Sequence, residues 1–158
     1  MPARYLPIYL NDHLTGATLG VELARRTRGE NDGELEEFLA WLVDQAVEDR
    51  AALLSLMRRL GVTPSRAKVA GAWAAEKVGR LKPNGQLTGY SPLSRLVELE
   101  GLATGLDGKR SLWLALLEVV GVDARLDRQE LERLAERARE QRERLEPHRL
   151  AAVRTALG

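Results

Sequence analysis

Residues 60–92 read LGVTPSRAKVAGAWAAEKVGRLKPNGQLTGYSP, and this stretch decides how the helices on either side of it are connected. Gly61 is typical of the residue just after a helix, so the preceding helix is predicted to end there. A Thr-Pro pair then predicts a short helix over residues 64–81, which a Pro-Asn-Gly turn at 82–85 closes. Ser91 followed by proline predicts the start of the next long helix. The two long helices are therefore separated by roughly thirty residues, enough to return along a helix.

Capping signals divide the rest of the sequence into helices as well. The first two long helices are predicted over residues 4–28 and 33–60, with Asp32 as the N-cap of the second. The last two are predicted over residues 92–120 and from a capping box at 127–130 to the end of the chain. Two connections are short and one is long. This pattern predicts two antiparallel hairpins joined by a long crossover that contains an extra short helix.

The composition indicates a single all-α domain over residues 1–158. Leu, Ala, Glu and Arg dominate, the aromatic content is 4%, and no Val- or Ile-rich stretch alternates with a period of two. A hydrophobic fraction of 44% is enough for a continuous core. No apolar run reaches membrane-spanning length, and polar groups interrupt the N-terminal stretch where a signal peptide would be apolar. We therefore expect a cytoplasmic protein with no membrane partner.

Charge and cysteine content exclude several classes of function. The chain has no cysteine, which excludes thiol nucleophiles, disulfides and cysteine-ligated metal sites. Its formal net charge is +1, and acidic residues are interspersed with basic ones along most of its length. A nucleic-acid partner would need a concentrated basic surface, so no nucleic acid is expected to bind.

Five glycines lie inside the first and third predicted long helices, where each costs roughly 1 kcal/mol relative to alanine. They are Gly16 and Gly20 in the first long helix and Gly101, Gly105 and Gly108 in the third. The preferred interpretation is close packing of these two helices, because glycine allows two backbones to approach each other. The alternative is that the missing side chains widen a groove for a ligand.

The helix order, the long crossover and the small-residue pattern resemble the ferritin-like superfamily over the whole chain. The resemblance is to a bacterial branch without metal ligands rather than to ferritin itself, and it implies a four-helix bundle. Di-iron members place a Glu from each of two helices and a Glu-x-x-His from each of the other two at the bundle centre. No Glu-x-x-His occurs here, since the only histidines are His13 and His148. Neither a metal ion nor another cofactor is therefore expected.

Counting outward from the predicted turns places four polar residues in one central layer. The first hairpin brings His13 level with Asp49, and the second brings Asp107 level with Gln141. Asp49 and Gln141 interrupt apolar stripes, so both are expected to be buried and hydrogen-bonded. We interpret the layer as a structural network. A single metal ion on the histidine and the two aspartates is one alternative, and acid-base use of His13 with Asp49 is another.

These observations predict a non-enzymatic helical-bundle module for binding or interaction, with no catalytic residues. We expect a homodimer that binds a protein or a small molecule whose identity the sequence does not indicate. The competing hypothesis is a protein of the same fold that binds one metal ion or a di-iron-like centre, including an oxidoreductase. The small number of ligands in the central layer favours the module.

Overall fold

A computed structural model describes residues 4–79 and 89–158, with the backbone alone at residues 72, 73 and 75–79. The described residues form five helices and no strand: α1 (Leu6–Gly29), α2 (Gly33–Arg59), α3 (Arg66–Gly79), α4 (Pro92–Glu118) and α5 (Arg128–Leu157). The all-α prediction is therefore confirmed, as is the order of four long helices with a short one after the second. None of the helices in the described part of the chain combines the length and hydropathy that crossing a bilayer requires.

Local capping sets where these helices begin and end. Asp127 caps α5 and Ser91 caps α4, and each side chain accepts hydrogen bonds from backbone N–H groups of the first turn. Gly61 follows α2 with a φ of +69°, in the left-handed region that glycine tolerates best. The helix bounds lie within about two residues of the predicted ones, as expected for bounds set by local caps. The predicted end of the short helix and the turn at 82–85 lie outside the described residues.

The four long helices pack as a ring in which each contacts two others. α1 contacts α2 and α4, while α5 contacts α4 and α2. Ion pairs show the relative directions. Arg26 with Glu98 joins the end of α1 to the start of α4, and Arg59 with Glu130 joins the end of α2 to the start of α5. Neighbouring helices in the ring are therefore antiparallel, and their order along the chain is up, down, down, up.

The connection between α2 and α4 has to return along the molecule, because these two helices point the same way. α3 lies in this return and packs against α1. Asn11 of α1 binds the first residues of this connection. Its amide nitrogen donates to Thr63 O at 3.1 Å, and its Oδ1 accepts from Ser65 N at 2.6 Å. The position of α3 agrees with the predicted crossover.

The core consists of two apolar clusters, one toward each end of the long helices. The first contains Leu14, Leu53 and Leu112, and the second contains Leu42 and Leu106, each with further leucines and alanines. Both clusters draw on α1, α2, α4 and α5, because each of these helices carries an apolar stripe on its inner face. The stripes are interrupted where one cluster gives way to the other.

Candidate polar core and pocket

A polar cluster lies at this interruption, between the two apolar clusters. Its centre consists of Asp49 on α2, Lys109 on α4 and Gln141 on α5. Asp49 is 4% exposed, Gln141 is fully buried, and the Lys109 side chain is 16% exposed. Three helices therefore each contribute one polar side chain to the level between the two apolar clusters.

The three side chains form a closed triangle of hydrogen bonds. Lys109 Nζ donates to Asp49 Oδ2 and to Gln141 Oε1, and Gln141 Nε2 donates to Asp49 Oδ2, all at 2.8 Å. Arg137 of α5 lies beside the triangle, with Nη2 3.1 Å from Asp49 Oδ1 and 3.0 Å from Glu48 Oε2. The buried carboxylate of Asp49 thus faces two cations, as a carboxylate inside a protein must if it is to stay ionised.

The Lys109 ammonium is in an unusual electrostatic environment. Burial lowers the pKa of Lys109 from its ordinary value, the negative charge of Asp49 opposes this effect, and the positive charge of Arg137 adds to it. Burial is the largest of the three effects. The folded chain therefore holds the Lys109 proton less tightly than an exposed lysine does.

Asp107, which was predicted for the central layer, is not in it. Its side chain is 65% exposed, and its Oδ2 lies 3.6 Å from Nε of Arg142. The predicted pairing of α4 with α5 was nearly correct, since Arg142 is one residue from Gln141. The prediction was wrong about which side of α4 faces inward, because Asp107 is outside and Lys109, two residues later, is inside.

His13 is half-buried on α1, and no hydrogen bond or ion pair joins it to Asp49 in the described part of the chain. Its ring instead packs edge-on against Tyr9, with 4.6 Å between centroids. Burial lowers the pKa of His13, against an opposing effect of Asp12. Arg50, which follows Asp49 in the sequence, donates to Thr18 Oγ1 at 3.0 Å. Thr18 is five residues after His13 on α1. The predicted pairing of His13 with Asp49 is therefore not made, although both residues line the same pocket.

Sequence reasoning missed Lys109, although the sequence contained a signal for it. The buried stripe of α4 has alternating spacings of four and three residues, which is typical of a helix face inside a bundle. In chain order the stripe is Leu102, Leu106, Lys109, Trp113 and Leu116. Lys109 occupies a core position in this pattern, just as Asp49 and Gln141 do on their helices, whereas Asp107 does not.

A pocket of about 190 Å³ lies beside the polar cluster, between α1, α2 and α4. Asp49 and Lys109 both line it, so the pocket reaches the buried ion pair. Most of the remaining wall is apolar and comes from leucine, alanine and glycine. The glycines that line the pocket are Gly16, Gly20, Gly101, Gly105 and Gly108. Three of them, at positions 16, 101 and 105, are exposed, so the pocket opens to solvent between α1 and α4.

Four of these five glycines do not make the predicted close helix contact. A Cβ added at Gly16, Gly20, Gly105 or Gly108 would meet no other atom within 4 Å. Gly101 differs, because a Cβ there would lie 3.1 Å from Leu23 Cδ2. Close packing of α1 and α4 is therefore limited to the level of Gly101. At the other four positions the geometry agrees with the alternative interpretation, a groove left open by missing side chains.

Further polar character comes to the pocket from Asp12, His13, Arg50 and Trp113. Arg50 lines it and, within residues 4–79 and 89–158, has no carboxylate at ion-pair distance. Trp113 also lines it and is 1% exposed, and its buried indole N–H has no hydrogen-bond acceptor among the described residues. An unpaired donor in a buried position is uncommon in proteins. Neither Arg50 nor Trp113 was singled out from the sequence as part of a site.

Among the described residues, no group of three or more His, Asp or Glu side chains is placed to hold a metal ion. No protein-family model matches the chain, and the searches of curated proteins and of solved structures found no match either. Its function is therefore inferred from its own side chains.

Proposed function

We propose that this protein is a non-enzymatic binding module that takes a small, mainly apolar ligand into the pocket between α1, α2 and α4. The observation that carries this proposal is the open space at Gly16, Gly20, Gly105 and Gly108. Glycine inside a helix costs roughly 1 kcal/mol relative to alanine, so helices that only had to pack together would be more stable with side chains there. Room for a ligand is a reason for these four positions to lack side chains.

The size and the lining of the pocket support a ligand of this class. Its volume of about 190 Å³ exceeds that of an apolar protein cavity of roughly 150 Å³ that binds benzene. Leu42, Leu106 and Trp113 contribute apolar wall, while Lys109 and Arg50 contribute hydrogen-bond donors. Pockets of this kind bind through their apolar surface and orient the ligand through a few polar groups. A ligand with an apolar body and one hydrogen-bond acceptor fits this arrangement best.

The helix order supports a ferritin-like bundle as the scaffold of the module. Two antiparallel hairpins joined by one long connection are the arrangement of that fold, and its ligand sites are built between facing helices in the bundle core. The pocket of this chain has the same kind of location, between α1, α2 and α4. Where di-iron members have metal ligands, this core has the ion pair of Lys109 with Asp49.

Ligand-observed NMR with toluene and benzyl alcohol tests the proposal. The wild-type protein is expected to bind both probes, and benzyl alcohol more tightly because its hydroxyl accepts a hydrogen bond. Gly105→Leu fills open space and is expected to weaken binding about tenfold or more, which corresponds to about 1.4 kcal/mol. Thr104→Leu adds the same side chain at the exposed neighbouring position and is expected to bind like the wild type. Absence of binding to the wild type, or equal binding to Gly105→Leu, would contradict the proposal.

A further inference from the structure

We propose that Lys109 is a nucleophilic amine that forms an imine with a small aldehyde or ketone in the pocket, an inference that rests on the binding function proposed above. The ligand is then a carbonyl compound with an apolar body. Lys109 then has a covalent role in addition to its place in the polar cluster.

The choice of lysine at this position is the first observation. Lysine is rare in this chain, with four residues (Lys68, Lys77, Lys82 and Lys109) among 24 basic ones. Arginine is the usual cation for a buried ion pair, because its planar guanidinium binds carboxylates through two hydrogen bonds and stays charged. Yet the cation bonded to buried Asp49 and Gln141 is a lysine, with a side chain 16% exposed. Lysine differs from arginine in that its nitrogen becomes a nucleophile once it loses its proton.

The surroundings of the Lys109 nitrogen are the second observation. Lys109 lines a pocket with apolar walls, and Asp49 Oδ2 lies 2.8 Å from its Nζ, close enough to accept a proton. Arg137 Nη2 lies 3.1 Å from the other oxygen of Asp49, and its positive charge disfavours a second cation at Lys109. Burial lowers the pKa of Lys109, which increases the share of neutral amine at a given pH. Desolvation beside another cation is one of the ways in which proteins activate lysine.

The reaction needs no partner besides the carbonyl compound. The Lys109 ammonium passes a proton to Asp49 Oδ2, and the nitrogen lone pair then attacks the carbonyl carbon. A C–N bond forms, and the electron pair of the C=O π bond moves to oxygen, which takes up a proton. The nitrogen supplies this proton by losing its second one, Asp49 returns the first to the hydroxyl, and water leaves as the nitrogen lone pair forms the C=N bond. In total, one lysine ammonium and one carbonyl compound give one protonated imine and one water, with no change in oxidation state.

Reductive trapping of the wild-type protein tests this inference. The full chain is incubated near neutral pH with butanal and cyanoborohydride, which reduces an imine to a stable secondary amine, and alkylated lysines are located by peptide mapping. Lys109 is expected to be alkylated at least about tenfold faster than Lys68, whose exposed side chain forms an ion pair with Asp12. Alkylation of Lys109 at a rate equal to or below that of Lys68 would overturn the inference.

Two variants locate the reaction in the pocket. Gly105→Leu is expected to slow alkylation of Lys109 about tenfold while leaving Lys68 unchanged, whereas Thr104→Leu changes neither rate. Equal alkylation of Lys109 in Gly105→Leu and wild type would show reaction outside the pocket and would also overturn the inference. Toluene binding separates the two proposals. If toluene binds and Lys109 is not trapped, the imine inference alone fails, and if toluene does not bind, the binding function fails.

Discussion

Asp49 and Lys109 form an ion pair inside a core that is otherwise apolar, and its energetics depend on its neighbours. Moving each charge from water into the interior costs several kcal/mol, which the pair recovers through good geometry and additional hydrogen bonds. Here Gln141 bonds to both residues, and Arg137 lies 3.1 Å from the second carboxylate oxygen. A cluster of this kind is stable as a unit, so the loss of one member leaves each of the others buried with one partner fewer.

A double-mutant cycle is expected to show this dependence. Asp49→Leu should lower the free energy of unfolding by about 3 to 5 kcal/mol, because it leaves Lys109 buried without a carboxylate. Lys109→Met should lower it by less, because Arg137 still faces Asp49. The double variant should lose at least about 1 kcal/mol less than the sum of the two. Urea unfolding measures all four free energies. Asp49→Leu with Asp107→Ala is the matched control and should be additive within about 0.5 kcal/mol, since Asp107 is exposed. Additivity in the Lys109 cycle would contradict the observed contact.

At the scale of one element, α4 combines close packing and open space within two turns. Both Gly101 and Gly105 line the pocket, but Gly101 lies close to Leu23 of α1, whereas Gly105, about one turn later, has open space beside it. Both glycines have ordinary helical backbone angles, so neither is needed for its conformation. Replacing either glycine should therefore change the free energy of unfolding according to the atoms that the new side chain would contact.

Alanine substitution separates these two situations. Gly105→Ala is expected to raise the free energy of unfolding by about 0.5 to 1 kcal/mol, because the new methyl meets nothing and alanine favours the helix. Gly101→Ala is expected to gain less or to lose stability, because its Cβ would lie 3.1 Å from Leu23 Cδ2. Thermal unfolding compares the two, and the gain at Gly105 corresponds to roughly 1 to 4 °C in Tm. A larger gain at Gly101 than at Gly105 would mean that the close contact is not where the structure has it.

At the scale of the whole molecule, the direction of α4 relative to α1 depends on polar contacts at one end. Asn31, which follows α1, accepts from Arg95 Nε at 2.6 Å and donates to the Tyr90 hydroxyl at 3.1 Å. Tyr90 in turn donates to Glu98 at 2.9 Å, and Glu98 also binds Arg26. Burial raises the pKa of Tyr90, which keeps its hydroxyl protonated as a donor. These contacts hold the turn after α1 against the first turns of α4.

Cysteine cross-linking tests this arrangement, since the chain has no cysteine of its own. A variant with Arg26→Cys and Glu98→Cys is expected to be cross-linked by a short bismaleimide, because these side chains are in contact. A variant with Arg26→Cys and Arg110→Cys is the matched control, with the second cysteine about 18 Å farther along α4. In this control, each cysteine should react with a separate bismaleimide molecule and no cross-link should form. Cross-linking in the control but not in the first variant would mean that α4 runs in the opposite direction.

Much of the secondary structure was predictable because its causes are local. The side-chain caps at Ser91 and Asp127 and the glycine at 61 act within one turn of their own positions, and the helices begin and end within about two residues of them. Asp32 also stands just before its helix, but its side chain makes no capping hydrogen bond. The chain order of long and short connections follows from these boundaries. The burial of Asp49 and Gln141 was also predictable, since each interrupts a regular apolar stripe.

The helical segments and the order of their connections were thus predictable from the sequence. So was the presence of polar residues in the core. The packing of the helices against one another was needed to show that Lys109 rather than Asp107 faces Gln141, and that Gly105 has open space beside it while Gly101 lies close to Leu23. The physical reason is the range of the interactions. A helix forms through hydrogen bonds and caps within a few residues, whereas its rotation about its axis and its distance from its neighbours depend on the sum of contacts with the helices that pack around it.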